Sequence, residues 1–468
     1  MSERRHRPRD STVPARTGLH RNDTIVAIAT PIGRSAVCVV RVSGADAERI
    51  SRRCVTPWPR HDRELTRCVV HAPDAPDGAI DDGLVVVFRA PKSYTGEAVV
   101  EVHGHGGAYV PVAIQAALVS AGARPALAGE FTERAVFNGK LDLVRAEAVG
   151  ELIDARTHAS HRAAIQGLSG ILTRRYTDLR AEAIGVEALI AYDIDFPDED
   201  HGPIARERIL AAASSLAAQL QALLATQPAA ILARDGAVVV LAGPPNAGKS
   251  SLLNALVGES RMIVSDEPGT TRDAVEVMLD TDPWPIRLVD TAGLRDDAGV
   301  VERLGIEVSE RYLRGADVVV ACAESPERLR DAVERINGLT LAPVIGVLTK
   351  CDLSSSARPL AAEAIQVSSL DGRGLVALHA RIAAIVARRA GRVSELAPLV
   401  VSARQRGALQ EAAGELNLFC LRWREGTLPL PVAATHLRAA IGALDQLIGA
   451  IDIEEVFSRV FATFCVGK

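Results

Sequence analysis

Between residues 22 and about 140, short apolar runs (TIVAIA, AVCVVRV, GLVVVF, AVVEVHG) alternate with turns rich in Gly and Pro. Runs of that length and β-branched content predict strands. With one helical stretch at 110–122, the segment 22–140 is expected to be an α+β domain. From 141 to 232 the period changes. In DLVRAEAVGELIDART, in 176–192 and in 203–226, apolar residues recur at three- and four-residue steps, which predicts helices. DIDFPDED (193–200) interrupts them, and its carboxylates read either as a solvated loop or as a cation site. From 233 to 390 the runs AVVVLA, IRLVD, DVVVAC, VIGVL and AIQV alternate with helical stretches, the signature of a doubly wound, mostly parallel sheet. RRAGRVSELAP (388–398) reads as a linker, and 391–468 is helical again. The expected organisation is a multidomain α/β chain: an α+β N-domain, then one all-α domain, discontinuous in sequence, carrying an inserted nucleotide-binding domain.

Composition narrows the classes. The chain has 468 residues, 48% apolar and 24% charged, which suits globular domains with sizeable cores. A net charge of −5 announces no nucleic-acid surface. No apolar run approaches ~18 residues, so no membrane span is expected. The first 21 residues are Arg-rich without the apolar core of a signal peptide, and are expected to be a disordered tail. Cys38, Cys54, Cys68, Cys322, Cys351, Cys420 and Cys465 form no C-x-x-C pair, against a disulfide framework or zinc site and for a cytoplasmic protein.

The chemistry is concentrated in 233–390. AVVVLA leads into Gly243-Pro244-Pro245-Asn246-Ala247-Gly248-Lys249-Ser250, followed by the helical SSLLNALVG from Ser250 and Ser251. This is G-x-x-x-x-G-K-[ST] between a strand and a helix, a loop whose backbone N–H groups wrap phosphates. Lys249 is expected at the β- and γ-phosphates and Ser250 on Mg2+. Asp290-Thr291-Ala292-Gly293 after IRLVD places a carboxylate at the metal and a Gly N–H near the γ-phosphate. Thr349-Lys350-Cys351-Asp352 after VIGVL offers Asp352 to guanine N1 and N2. Position 349 usually holds Asn, so Thr349 is a departure. Ser368, Ser369 and Leu370 complete the base pocket, and the set specifies a GTPase.

Two features set its chemistry apart. Ras-like enzymes place a water-orienting Gln after D-T-A-G, whereas here Leu294 stands there, with Asp296, Asp297 and Glu302 the nearest carboxylates. The loop Ser265-Asp266-Glu267-Pro268-Gly269-Thr270-Thr271, together with Asn246, would build a monovalent-cation site beside the phosphates.

G-x-P-N-x-G-K-S, D-x-x-G-T-T-R-D, D-T-A-G-L-R and a terminal C-V-G-K resemble the MnmE (TrmE) family of tRNA-modification GTPases. The resemblance extends over 22–468 through N-D-T-I-V-A-x-A-T-P-x-G-R (22–34), S-Y-T-G-E (93–97), E-V-H-G-H-G-G (101–107) and G-E-F-T-E-R-A-x-x-N-G-K-L-D-L (129–143). It implies an N-domain that binds 5-formyl- or methylene-tetrahydrofolate and forms a homodimer, a helical domain, and a K+-dependent G domain. It also implies an FAD-containing MnmG (GidA)-type partner in a heterotetramer-like complex acting on the wobble uridine of certain tRNAs. By motif, K+ would meet Asn246 and Thr270 with backbone at Ser265 and Glu267, and Mg2+ would meet Ser250 and Thr271. Glu302 matches the carboxylate promoting water attack, and the folate contacts match Arg41, Glu101, Lys140 and Lys468. The runner-up reading is a ribosome-assembly GTPase acting as a timer without substrate chemistry, which the near-neutral charge and the folate motifs disfavour.

Plainer readings stand beside these. Arg41 and Glu101 also read as a surface ion pair, and Cys465 as either a reactive thiol or a buried small apolar residue. Of 53 basic side chains only five are lysine, and four (Lys140, Lys249, Lys350, Lys468) fall on expected ligand contacts while Lys92 has no role. The terminal FCVGK therefore reads as a helix end anchored by Phe461 and Phe464, turned at Gly467 and delivering Lys468 and Cys465 to the chemistry.

Overall fold

A computed structural model describes residues 23–73, 75–195, 205–259, 262–263, 275–290, 310–353, 364–391, 398–426, 429–449, 460–461 and 464–467. The chain divides into two compact units, Met1–Ala146 with Ile451–Lys468, and Glu147–Ala450.

The first unit is built on a seven-stranded sheet. Its strands are β1 (Ile25–Ile28), β2 (Gly33–Ser43), β3 (Val55–Thr56), β4 (Thr66–Ala72), β5 (Ala75–Phe88), β6 (Val99–Gly107) and β7 (Arg124–Pro125), in the order β3-β4-β5-β6-β2-β1-β7. All neighbours pair antiparallel except β1 with β7. Alternation decides the faces: Val40, Val42, Val85, Val87, Val100 and Val102 are fully buried, and Ile114 and Leu118 of the helix Val110–Ser120 pack on them. Burying each such side chain contributes about 1.5–3 kcal/mol. On the opposite face Val37, Val69 and Leu84 are exposed. The strands β3, β4 and β7 and the helices Ala47–Arg52 and Glu130–Phe137 were not foreseen. The second helix buries an ion network beside Phe131 and Ala135: Glu130 is fully buried, Arg134 pairs with Asp23, Glu97 and Glu130, and Arg124 with Asp23 and Glu130.

The sequence assigned 391–468 to the helical domain as one piece, but its end packs elsewhere. Phe461 is fully buried with Leu143 and Ala146, Phe464 packs beside it, and Val466 bridges Ala128. The expected anchors are therefore the observed ones, within the first unit.

In the second unit the helices His158–Leu168, Ile171–Asp195, Arg206–Leu224, Gln227–Asp235, Ala403–Arg424 and Leu430–Ile448 form the bundle. A charged hub ties them. Glu147 accepts from Arg404 Nε (2.7 Å) and Nη2 (2.9 Å), from Gln405 Nε2 (2.6 Å) and from Ser402 Oγ (3.1 Å). Tyr176 Oη donates to Gln405 Oε1 at 3.0 Å. By length and composition alone, the stretch Arg206–Asp235 is long and apolar enough to cross a membrane. Within it Ile209, Ala213, Leu216 and Leu220 are buried in the bundle.

The second sheet comprises β8 (Ala237–Ala242), β9 (Met262–Ile263), β10 (Val275–Leu279), β11 (Ile286–Asp290), β12 (Val318–Ala323), β13 (Val344–Leu348) and β14 (Ile365–Gln366), ordered β14-β13-β12-β8-β11-β10-β9. Five strands run parallel as expected, while β10 and β9 add an unforeseen antiparallel edge. Every residue of β12 is buried, as both faces of a parallel sheet demand. The helix Leu375–Ala390 holds Arg388 and Arg389, so the expected linker begins after them. Residues 1–22 and 196–204, which take in the tail and most of DIDFPDED, lie outside the described residues.

Candidate nucleotide and folate sites

Parallel strands deliver the nucleotide motifs to one rim, because their C-terminal ends coincide. After β8 the chain turns through Gly243, where an added Cβ would stand 2.2 Å from the Cys322 carbonyl oxygen, so only glycine fits against β12. Gly248, at φ 77°, is left-handed as well, and the helix Lys249–Glu259 follows. Lys249 is 6% exposed, and its Nζ donates to the carbonyls of Gly243 (3.1 Å) and Pro244 (2.9 Å). Ser250 Oγ donates to Asp290 Oδ2 at 2.7 Å, bringing together the hydroxyl and carboxylate expected at Mg2+. Hard oxygen donors of this kind suit that ion.

The base-side loop is tied to the phosphate loop. Thr349 Oγ1 donates to Ala247 O (2.8 Å) and lies 3.2 Å from Ala323 O. The unusual residue at 349 therefore fastens the two loops by its hydroxyl. Lys350 Nζ donates to Asn246 O at 3.0 Å and pairs with Glu324. Ala247 is buried, while Asn246 and Ser251 are exposed. Asp352 lies half-buried in the short 3-10 turn Cys351–Leu353. Ser368 is buried, its Oγ accepting from the N–H of Leu370 at 3.3 Å; Ser369 is half-buried and Leu370 exposed. Burial pushes the Cys322 thiol up to about 12, which makes it a packing group behind the loop. Ser265, Asp266, Glu267, Pro268, Gly269, Thr270, Thr271, Thr291, Ala292, Gly293 and Glu302 lie outside the described residues.

In the first unit, register makes the second site. Arg41 of β2 faces Glu101 of β6. Its Nε (2.9 Å) and Nη2 (2.8 Å) both reach Oε1 of Glu101, and its Nη1 donates to Gly467 O at 3.3 Å. The pair is largely shielded, at 18% and 17% side-chain exposure, so the surface-pair reading does not hold. His103, 3.5 Å away, and then Arg41 hold the Glu101 carboxyl below the usual carboxylate range against burial. Tyr94 lies under the Arg41 guanidinium at 5.7 Å and donates to or accepts from Thr132 at 2.8 Å. Lys140 Nζ donates to Pro91 O at 3.0 Å. A half-buried carboxylate flanked by Arg41 and His103 fits the N–H donors of a pterin. Gly467, at φ 100°, makes the expected turn. Cys465 is exposed, which overturns its reading as a buried apolar residue. Lys468 lies outside the described residues.

Two contributors carry no signal of their own in the sequence: Tyr94 lies within S-Y-T-G-E, and Glu324 directly follows an apolar strand, the place where parallel sheets put chemistry. Among the described residues no group of three or more His, Cys, Asp and Glu could hold a metal ion.

Two family models match: MnmE helical domain over residues 143–465, and GTP-binding protein TrmE N-terminus over 24–140. Similar full-length relatives are each named tRNA modification GTPase MnmE. That of Acidiphilium cryptum is 38% identical over 96% of this chain and 99% of its own length. That of Thermus thermophilus is 40% identical over 95% and 99%, and that of Aquifex aeolicus 34% over 95% and 100%. Among solved structures, the G domain of the T. maritima FeoB iron transporter is 28% identical, covering 32% of this chain and 98% of its own, with a TM-score of 0.26. Aquifex aeolicus Era bound to GDP and aluminium fluoride is 25% identical over 39% and 67%, with a TM-score of 0.25. By its two matching family models and its full-length relatives, the chain belongs to the MnmE family of tRNA modification GTPases.

Proposed function

We propose that this chain hydrolyses GTP in a K+-dependent manner and, with an FAD-containing MnmG (GidA)-type partner, adds a carboxymethylaminomethyl or aminomethyl group to C5 of the wobble uridine of certain tRNAs. The one-carbon unit comes from 5-formyl- or methylene-tetrahydrofolate. The observation carrying this reading is one chain with two separate constellations, the Lys249–Ser250–Asp290 rim and the shielded Arg41–Glu101 pair against the C-terminal turn.

On the nucleotide side, Lys249 and the loop N–H groups hold the phosphates, Ser250 and Asp290 hold Mg2+, and Asp352 selects guanine. When bound, Mg2+ and K+ supply positive charge at the phosphates. Asn246 and Thr270, with Ser265 and Glu267, are the proposed K+ ligands, Thr271 joins Ser250 at Mg2+, and Glu302 takes the water-activating role. On the folate side, Glu101 accepts pterin N–H donors, Arg41 fixes Glu101, and Lys140 and Lys468 meet the carboxylates of the tail. Cys465, exposed beside this site, is the proposed reactive thiol. Val37, Val69 and Leu84, exposed on the outer face of the N-terminal sheet, support a homodimer through that domain.

The test is nucleoside analysis of wobble uridine from cells with and without the gene. Loss of the C5 modification is expected, and an unchanged nucleoside profile contradicts the proposal. Binding of 5-formyltetrahydrofolate by the purified protein separates it from an RNA timer, which would bind none.

A further inference from the structure

We propose that Glu324 is a positioning residue for the nucleotide, holding the phosphate loop in its binding shape through Lys350. This rests on the GTPase reading above and assigns a role to a residue outside its motifs.

Asn246 and Lys350 both have left-handed backbones, at φ 61° and 57°. For non-glycine residues that region is sparsely populated and persists where surrounding contacts impose it. The contacts are visible. The carbonyls of two consecutive phosphate-loop residues are each held by one of two consecutive base-side residues: Ala247 O by Thr349 Oγ1 at 2.8 Å, and Asn246 O by Lys350 Nζ at 3.0 Å.

The base-side pair is itself moored to the end of β12. Thr349 N donates to Ala323 O at 2.9 Å, and the next residue, Glu324, forms an ion pair with Lys350. Thr349 is buried and fixed by its backbone, whereas Lys350 is a flexible stem with 41% side-chain exposure. A single carbonyl satisfies only one of the ammonium's three donors, and a carboxylate on a second adds a charge-assisted hold. The Glu324 carboxylate is the charged group that keeps Lys350 over the loop. Lys350, with Arg328 behind it, holds Glu324 below the usual carboxylate range.

Both partners are more than a third exposed, so the pair contributes little to folding stability. Its effect belongs to the loop. Without Glu324, Lys350 swings into water, Asn246 loses its tether, and the N–H cradle that grips the phosphates relaxes.

The experiment measures dissociation of mant-GDP from the full-length protein and its Glu324→Ala and Glu324→Asp variants by stopped flow, with melting temperatures alongside. Ionic strength is varied with choline chloride at constant K+ and Mg2+. At low salt Glu324→Ala is expected to release mant-GDP about two- to fivefold faster at unchanged melting temperature, the range of an exposed ion pair. Glu324→Asp should recover part of the difference. The ratio between wild type and Glu324→Ala should approach one at high salt, because screening removes the pair in both. Equal release rates at low salt overturn the role of Glu324 while leaving the GTPase reading intact. A faster release that persists at high salt, or comes with a lowered melting temperature, also overturns it by marking a merely structural residue. Failure of the wild type to bind mant-GDP overturns the GTPase reading and this inference together.

Discussion

The N-terminal sheet is antiparallel apart from β1 with β7, whereas five strands of the second sheet run parallel, and the two place chemistry differently. In the parallel sheet the strand ends gather on one rim. Lys249, Asp290, Glu324, Thr349 and Ser368 therefore all follow or close an apolar run. In the antiparallel sheet the chemistry sits in mid-strand. Arg41 meets Glu101 by cross-strand register, and Gly467 joins them from the far end of the sequence. A rim can be loaded with phosphate ligands by short contiguous motifs. A sheet face needs a register, and here also a returning terminus.

Independent sites should fail independently, and the largest expected effect tests that first. Lys249→Ala should lower GTP hydrolysis on the order of 10²–10³-fold, with 5-formyltetrahydrofolate affinity unchanged by calorimetry. A parallel loss of folate binding would break the separation. Next, Glu147→Ala leaves Arg404 and Gln405 without their shared acceptor, so thermal or urea unfolding should show about 3 kcal/mol lost from the unit Glu147–Ala450. Glu101→Gln keeps the shape but removes the charge facing Arg41. It should weaken folate binding about tenfold, the value of one charge-assisted contact, with turnover of GTP unaltered.

How much of this was legible in the sequence follows the same division. Gly243, Lys249 and Ser250 announced the nucleotide rim because strand, glycine and cation are neighbours in the chain, and the five parallel strands were readable as unbroken apolar runs. The pairing of Arg41 with Glu101 was not legible from periodicity, since nothing local encodes register across sixty residues; only the family motifs pointed there. The helix Glu130–Phe137 escapes the pattern because its buried face carries Glu130, Glu133 and Arg134, with Arg134 paired to Glu130 one turn away and to Asp23 and Glu97, which are distant in sequence. Strand β10 escapes the pattern because VEVML is short and half-exposed, one strand in from the β9 edge.

The smallest expected effect is one of pH. Burial, and then the charge of Glu147, push the Glu151 carboxyl up to about 7 from its ordinary 4.5. The folded state therefore keeps a proton that the unfolded chain releases. Stability is fully present below the unfolded value and declines as pH rises through 7. The melting temperature of the Glu147–Ala450 unit should fall modestly between pH 5 and 7, and Glu151→Gln should flatten that slope.

The most direct test of two separable sites in one chain removes Cys465, Val466, Gly467 and Lys468. GTP hydrolysis and wobble-uridine nucleosides are then measured with the same truncated protein. The account predicts hydrolysis at the full-length rate with the C5 modification absent. Modification that survives the truncation, or hydrolysis lost along with it, would contradict it.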